Sequence, residues 1–259
     1  MTAREVMDLI KQNLGIPWSD RGYRDTFKIG DPDTVVTGIA TTMMSTFDVI
    51  KRAHAARLNF IISHENTFWT DREDTKTLVD IPLFKIKTDY CHQNGIVIHR
   101  FHDHQHSKVP DLSVVALLRM VGIEDQHTPM SAGVRTIPET TLGALAASIR
   151  KKTGIRAIRV AGDPDMKVTR IAMGPGYAFP RMTADVDVVI GGETAESDGA
   201  FDITSYVRDA AALGIPKGQI TLGHMVSEEG GMKIMAEWMR DFITGVPIQF
   251  VPCGEPYWT

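Results

Sequence analysis

Histidine and carboxylate side chains concentrate at a few places in this sequence. Four of the nine histidines fall between His99 and His106, around Asp103. The other places are His64-Glu65, Gly191-Gly192-Glu193, and His224 with Glu228. Imidazole nitrogens together with carboxylate oxygens bind ions such as zinc, iron, manganese and nickel. The pattern therefore predicts a mixed nitrogen and oxygen metal site, of the kind that often keeps an open position for catalysis.

Two other kinds of site fit the sequence poorly. Cys91 and Cys253 lie far apart, which excludes a cysteine-rich structural zinc site and does not suggest a disulfide framework. The segment Gly174-Pro-Gly176 lacks the Lys-Ser/Thr pair of a phosphate-binding P-loop. We interpret it as a tight turn.

The candidate residues follow predicted β-strands. Helix and strand signals alternate along the chain, and strand–helix–strand connections of this length favour parallel pairing with right-handed crossovers. The predicted strands are 34–41, 59–63, 96–98, 156–161, 168–173, 186–190, 219–222 and 248–251, and the predicted helices are 2–14, 45–57, 76–93, 111–121, 140–153, 201–213 and 227–243. Functional groups gather past the carboxyl ends of parallel strands, which is where these histidines and carboxylates are expected.

His224 and Glu228 are four residues apart at the start of a predicted helix. If the helix includes both, they share one face and can bind one ion, or one each of a close pair. Glu228 is expected in the first helical turn, where the helix dipole favours an ionised carboxylate.

Composition narrows the class of protein. The chain has 259 residues, a net charge of −4, 43% hydrophobic residues and 23% charged residues. These values are ordinary for a globular protein and exclude a mainly disordered chain. No apolar run approaches about 18 residues, so no membrane-spanning helix is predicted. The small negative charge argues against a nucleic-acid partner.

We expect a reduced, cytoplasmic α/β protein, because the first residues predict an amphipathic helix instead of a signal peptide. The two halves are interpreted as two α/β lobes of one unit, about 1–124 and 138–259, with a seam near 124–138.

Several segments resemble the Nif-three-like family, the Ngg-interacting-factor-three homologues that are sometimes labelled GTP cyclohydrolase type-two homologues. The resemblance spans about 30–250. Its segments are Val36–Ala40, Phe47–Ala53, Leu58–His64, His99–Asp103, Val189–Ser197 and Gly223–Glu228 with the following Gly230–Met239. The family usually has two adjacent histidines and a proline where this chain has His64-Glu65-Asn66.

The resemblance implies an α/β fold of two lobes with mostly parallel sheets and a metal site between them. It also implies a dinuclear centre of two divalent ions, such as zinc, iron or manganese. Carried over by motif, the ligands are His64, Glu65, His99, Asp103, His224 and Glu228. His102, His104 or His106 could add to or replace His99 if the register of that segment differs.

Two functions remain open at this point. The first is a metal-dependent hydrolase of an unknown small-molecule substrate, in which Glu65 or Glu193 serves as the proton shuttle. Glu65 then stands either as a ligand or as a base. The second is a non-enzymatic metal-binding assembly or regulatory protein. We take the hydrolase as the leading hypothesis, and the family resemblance implies a homo-oligomer, a hexamer.

Overall fold

The computed structural model describes residues 1–123, 134–178, 180–194 and 202–258. Its contacts divide the chain into two compact units. Unit 1 consists of Met1–Leu112 and Gly231–Cys253, and unit 2 consists of Ser113–Gly230 and Gly254–Thr259. Of the predicted seam near 124–138, residues 124–133 lie outside the described residues.

The helices and strands alternate as the sequence predicts. In chain order they are α1 (Ala3–Asn13), β1 (Phe27–Ile29), β2 (Ile39–Thr42), α2 (Phe47–Ala55), β3 (Phe60–Ser63), α3 (Pro82–Gln93), β4 (Val97–Arg100), α4 (Asp103–Ser107), α5 (Leu112–Val121), β5 (Arg135–Thr141), α6 (Leu142–Thr153), β6 (Arg159–Ala161), β7 (Lys167–Gly174), β8 (Val188–Gly191), α7 (Ile203–Ala212), β9 (Gly218–Thr221), α8 (His224–Met239) and β10 (Ile248–Phe250). A short 3₁₀ helix at Thr75–Thr77 precedes α3.

Unit 1 is built on a five-stranded sheet in the order β1-β4-β3-β2-β10. The strands β10, β2, β3 and β4 are parallel, and only the edge strand β1 is antiparallel. Thr42 pairs with Ser63, and Ser63 pairs with Arg100. The carboxyl ends of three strands therefore lie side by side, which brings together the residues that follow them.

The sheet of unit 1 is buried on both faces. On one face, Phe60 and Ile62 pack in a cluster with α1 and with the part of α8 from Met232 onward. On the other face, Ile61 and Ile98 pack with residues of α2 and with Cys91 of α3. Alternating side chains of one strand thus reach opposite layers, as the two-residue period of a strand requires.

Unit 2 has the same architecture, but both edge strands of its sheet are antiparallel. Its sheet has the order β5-β7-β8-β9-β6, with parallel strands in the centre and an antiparallel strand at each edge. One face packs against α5 and α6, and the other packs against α7. The prediction of an α/β fold with two mostly parallel sheets is confirmed.

Several predicted boundaries were wrong for identifiable reasons. The strand β5 was not predicted, because Pro138 interrupts its run of β-branched residues; β5 is an edge strand, where proline is tolerated. The helix α3 lies within the predicted segment 76–93 and begins at Pro82, since proline suits the first helical position. The helix α8 begins at His224, three residues before the predicted start, so Glu228 lies beyond its first turn.

No helix in the described part of the chain combines the length and the hydrophobicity that a bilayer-spanning segment requires.

Candidate metal centre

Three imidazoles form a compact cluster in unit 1. His64 and His102 are stacked with ring centroids 4.6 Å apart, and the ring of His106 lies 4.8 Å from His64 and 4.7 Å from His102. One ligand atom from each residue lies within 4.8 Å of the other two. Two nitrogens on one zinc ion lie at most about 4.2 Å apart, so the cluster is close to coordination size.

Strand ends and a short helix position these three rings. His64 follows β3 directly, and its backbone N–H donates to Thr42 O at 3.0 Å. His102 precedes α4 and His106 lies within it, four residues later. A separation of four residues brings side chains onto one face of a helix.

Asp25 holds the start of α4 in place. Its carboxylate accepts the backbone N–H of His102, the N–H of Asp103 at 3.1 Å and the N–H of His104 at 2.9 Å. Burial raises the pKa of Asp25, but the hydrogen bonds from His102 and His104 outweigh burial, and its pKa is lowered overall. Asp25 therefore stays ionised and caps the helix that carries the histidines.

Each histidine of the cluster has its Nδ1 atom next to an oxygen. The Nδ1 of His64 lies 3.3 Å from Phe101 O. The Nδ1 of His102 lies 2.9 Å from Asp103 Oδ1, and the Nδ1 of His106 lies 2.8 Å from Asp111 Oδ2. A donated Nδ1–H fixes the tautomer and makes Nε2 the atom that would meet an ion, which is the usual arrangement of metal-binding histidines.

Glu65 lies between the cluster and a buried arginine. Its Oε2 accepts a hydrogen bond from Arg100 Nη2 at 2.6 Å, and its Oε1 lies 3.4 Å from His102 Nε2. Only 13% of the Glu65 side chain and 1% of the Arg100 side chain are exposed. Glu65 therefore presents one oxygen to the side of His102 that would face an ion.

Asp103 stands behind His102. Its Oδ1 contacts His102 Nδ1 and also accepts a hydrogen bond from Arg24 Nη1 at 3.2 Å. The carboxylate is 40% exposed. In this position it orients the imidazole of His102.

His104 is occupied by structural contacts at both ring nitrogens. Its Nδ1 contacts the Asp25 carboxylate, and its Nε2 accepts the backbone N–H of Ser19 at 2.9 Å. Its ring also stacks on Trp18 with centroids 3.8 Å apart. With both nitrogens engaged, His104 has no lone pair to offer an ion in this arrangement.

His99 lies in the sheet among apolar side chains. Its ring meets Phe27 edge-on at a centroid distance of 4.7 Å, and it is 2% exposed. Burial lowers its pKa to about 3, so the ring is neutral. Among the described residues, His99 is not part of the cluster of His64, His102 and His106.

Unit 2 carries a second and different arrangement around His224. Glu193 follows β8, and its Oε1 lies 2.8 Å from His224 Nδ1. The Oε2 of Glu228 lies 3.1 Å from His224 Nε2, and Glu228 is 3% exposed. A neutral imidazole has one N–H for these two carboxylates. A positive charge at the ring, from a second proton or from a metal ion, would stabilise both contacts.

The glycine-rich turn of unit 2 lies against this pair. Gly176 has a positive φ of 53°, and a Cβ atom there would overlap the carboxylate of Glu228. Its N–H donates to Ser227 Oγ at 2.9 Å. The ring of Tyr177 meets His224 edge-on at 4.8 Å. The turn therefore permits the close approach of Glu228.

Asp111 and Arg100 were missed at the sequence level. Arg100 directly follows His99 in the segment already noted, but nothing in the sequence indicates that it is buried beside Glu65. The pair His102 and His106 has the same spacing of four as His99 and Asp103. A prediction of the helix at 103–107 would have favoured His102 and His106, but five residues are too few to show a helical period in the sequence.

The model of one protein family matches almost the whole chain. The family is Duf34/NIF3 (NGG1p interacting factor 3), and the match covers residues 1–253. No curated protein matches the chain.

Solved structures of similar fold cover the chain from end to end. Staphylococcus aureus protein SA1388 has a TM-score of 0.72 at 17% identity, covering 100% of this chain and 99% of that chain. Protein ybgI, of unknown function, has a TM-score of 0.73 at 20% identity, covering 99% and 100%. Reduced HcgD from Methanocaldococcus jannaschii has a TM-score of 0.63 at 17% identity, covering 97% and 98%. At these identities the likeness shows the fold alone.

Proposed function

The chain belongs to the Duf34/NIF3 family, and from that premise we propose that it binds two divalent metal ions and uses them to hydrolyse a small-molecule substrate. A candidate metal-binding cluster in a protein of this fold supports metal binding. Two ions and a hydrolytic reaction are our inference from the side chains of the candidate sites.

One observation carries the proposal. His64 directs Nδ1 at a backbone carbonyl, and His102, His106 and His224 direct it at carboxylates. His104 also directs Nδ1 at a carboxylate, but its Nε2 is taken by the backbone N–H of Ser19. A buried imidazole does not need a carboxylate at Nδ1 in order to pack. Together with the close approach of His64, His102 and His106, the three carboxylate partners support a role in metal binding, where such partners fix the ring and raise its basicity.

The proposed ligands differ in part from the set that the resemblance implies. In unit 1 we propose His64, His102 and His106, with Glu65 offering one oxygen. In unit 2 we propose His224 and Glu228. Asp103 and Glu193 then orient the imidazoles of His102 and His224, and His99 stays in the apolar layer of the sheet. The dinuclear arrangement and the proton shuttle at Glu193 stay predictions.

The chain's own residues have distinct roles in the proposed reaction. When bound, a divalent ion supplies Lewis acidity, which makes water a better nucleophile and stabilises charge on a carbonyl or phosphoryl oxygen. Glu65 Oε1 faces the same side of His102 and can accept a proton there. Arg100 keeps the other oxygen of Glu65 in place.

The test is metal analysis of full-length protein purified without a chelating tag. We expect about two divalent ions per chain at full occupancy. Protein stripped of metal and reloaded with zinc, manganese or iron is then assayed on phosphoesters and amides. Failure to take up any of the three metals would contradict metal binding. Full loading without hydrolysis would contradict the hydrolase and favour a non-enzymatic assembly.

We also propose a closed homo-oligomer, a hexamer, on the basis of the resemblance. Light scattering at micromolar concentration measures the mass of the particle. A monomer mass would contradict this part of the proposal without affecting metal binding.

A further inference from the structure

Arg100 is one of the largest fully buried side chains of the protein and the last residue of β4. Its guanidinium donates Nε–H to His64 O at 3.3 Å and Nη1–H to Asp71 O at 2.9 Å. Its Nη2 donates to Glu65 Oε2 at 2.6 Å and to Asp71 Oδ1 at 3.1 Å. These contacts fix the guanidinium against the segment that follows β3, which includes the proposed ligand His64.

The contact with Arg100 gives the two carboxylate oxygens of Glu65 different surroundings. Oε2 is held by Arg100, and Oε1 lies 3.4 Å from His102 Nε2. A carboxylate that turned both oxygens towards the cluster would lose its short hydrogen bond to a buried cation. Charge-assisted hydrogen bonds of this kind are among the strongest in proteins.

We propose that Arg100 limits Glu65 to a single oxygen on the metal side and thereby sets the cation preference of the unit 1 cluster. This inference rests on the proposed function, because it requires an ion at His64, His102 and His106. Among the residues of unit 1, three imidazoles with one carboxylate oxygen from Glu65 form a donor set that suits zinc. Manganese and calcium prefer oxygen ligands, and calcium often takes a carboxylate through both oxygens.

An arginine suits this role better than a lysine would. The planar guanidinium reaches three residues at once: the backbone carbonyl of His64, the carboxylate of Glu65, and both the backbone carbonyl and Oδ1 of Asp71. A lysine ammonium is a compact charge on a flexible chain and does not fix a carboxylate in one orientation. The conservative change Arg100→Lys therefore releases Glu65 in part.

The test is a double-mutant cycle on metal preference. Metal-free wild type, Arg100→Met, Glu65→Gln and the double variant are dialysed against mixtures of zinc and manganese, and the bound metals are measured. We expect Arg100→Met to raise the manganese-to-zinc ratio about tenfold. In the Glu65→Gln background the same change is expected to leave the ratio within about twofold, since the freed oxygen is absent. All four proteins also carry His224→Ala and Glu228→Gln, so that an ion at unit 2 does not dilute the measured ratio.

Lys28→Met is the matched control. Lys28 is also a buried cation, and it pairs with Glu73 at 2.8 Å, next to Arg100 but without a contact to Glu65 among the hydrogen bonds and ion pairs described. It is expected to leave the ratio unchanged. Circular dichroism checks each variant for folding. If Arg100→Met does not fold, Arg100→Lys takes its place in the cycle, with a rise in the ratio expected in the same direction.

Two results would overturn the inference. One is an unchanged ratio in Arg100→Met, or in its lysine replacement. The other is an equal rise with and without the Glu65 carboxylate. Both are distinct from failure of the proposed function, in which the wild type itself takes up neither metal.

Discussion

The two candidate sites use the same support for histidine but differ in their donor atoms. The unit 1 cluster brings three imidazoles together, and Glu65, whose Oε1 lies 3.4 Å from His102 Nε2, has its other oxygen tied to Arg100. In unit 2 a single imidazole, His224, stands between two carboxylates, Glu193 and Glu228. One site is rich in nitrogen and the other is rich in oxygen.

Because the donor atoms differ, the two proposed ions need not be the same element. Imidazole-rich sites suit zinc, copper, iron and nickel, whereas carboxylates and water suit magnesium and manganese. The ion of unit 1 should therefore be held mainly by neutral imidazole nitrogens, and the ion of unit 2 mainly by negatively charged carboxylates. Removing a histidine and removing a carboxylate should accordingly affect different ions, and variants can test this.

The largest effect is expected from His106→Ala. The change removes one of three nitrogens from the unit 1 cluster, and we expect zinc affinity there to fall by at least about 100-fold. Zinc titration monitored by calorimetry measures the loss. The ion proposed for unit 2 should remain, because His224 and Glu228 are unchanged.

His104→Gln is the control for His106→Ala. His104 lies two residues away on the same short helix, but its nitrogens are engaged by Asp25 and Ser19. We expect this variant to keep its zinc and to lose about 1 kcal/mol of stability, from the contacts of the ring. Equal loss of zinc in both variants would mean that zinc binding depends on the integrity of α4 and not on the imidazole of His106.

A smaller effect is expected from Glu228→Gln, which keeps size and removes charge. We expect about one fewer ion per chain and lower hydrolytic activity, with the fold intact, because the ligand pair with His224 is broken. If Glu228 only stabilised the fold through its contact with His224, the variant would lose some stability and the metals would stay. Metal stoichiometry and melting temperature measured side by side separate the two roles; full occupancy with a slightly lower melting temperature would reject Glu228 as a ligand.

The smallest effect on metal binding is expected from His99→Leu. Burial lowers the pKa of His99 to about 3, below its usual value near 6.5. The unfolded chain therefore takes up this proton first, and stability is lost as the pH falls from about 6.5 towards 3. Between pH 7 and pH 5 the loss from this group is about 2 kcal/mol.

We expect His99→Leu to keep its metals and to unfold less readily in acid than the wild type. Urea unfolding at pH 7 and pH 5, with metal analysis of the same samples, checks both statements. Loss of an ion in His99→Leu would restore His99 as a ligand.

Much of the fold follows from local sequence patterns. Short β-branched runs between amphipathic segments correctly indicated the parallel strands, since buried strands such as β3 and β8 are almost wholly apolar. The edge strands β1 and β5 escaped prediction. The first has only three residues, and the second contains a proline that a central strand would exclude.

The candidate site was predictable in its residue types and less so in its register. His64, Glu65, His224 and Glu228 follow strands directly, so their positions depend on strand ends alone. The segment after β4 contains four histidines, and choosing among them needs the rotation of a five-residue helix. The supporting contacts of Asp25, Arg100 and Asp111 join residues that are distant in sequence or carry no local signal.

The most direct test of metal binding by the unit 1 cluster is X-ray absorption at the zinc edge. The sample is the full-length double variant His224→Ala/Glu228→Gln, in which the unit 2 ligands are removed, loaded with zinc. We predict about one zinc ion per chain, bound by three imidazoles with one or two further light-atom neighbours. A protein that takes up no zinc, or zinc bound by fewer than two imidazoles, would contradict the assignment of His64, His102 and His106 as ligands.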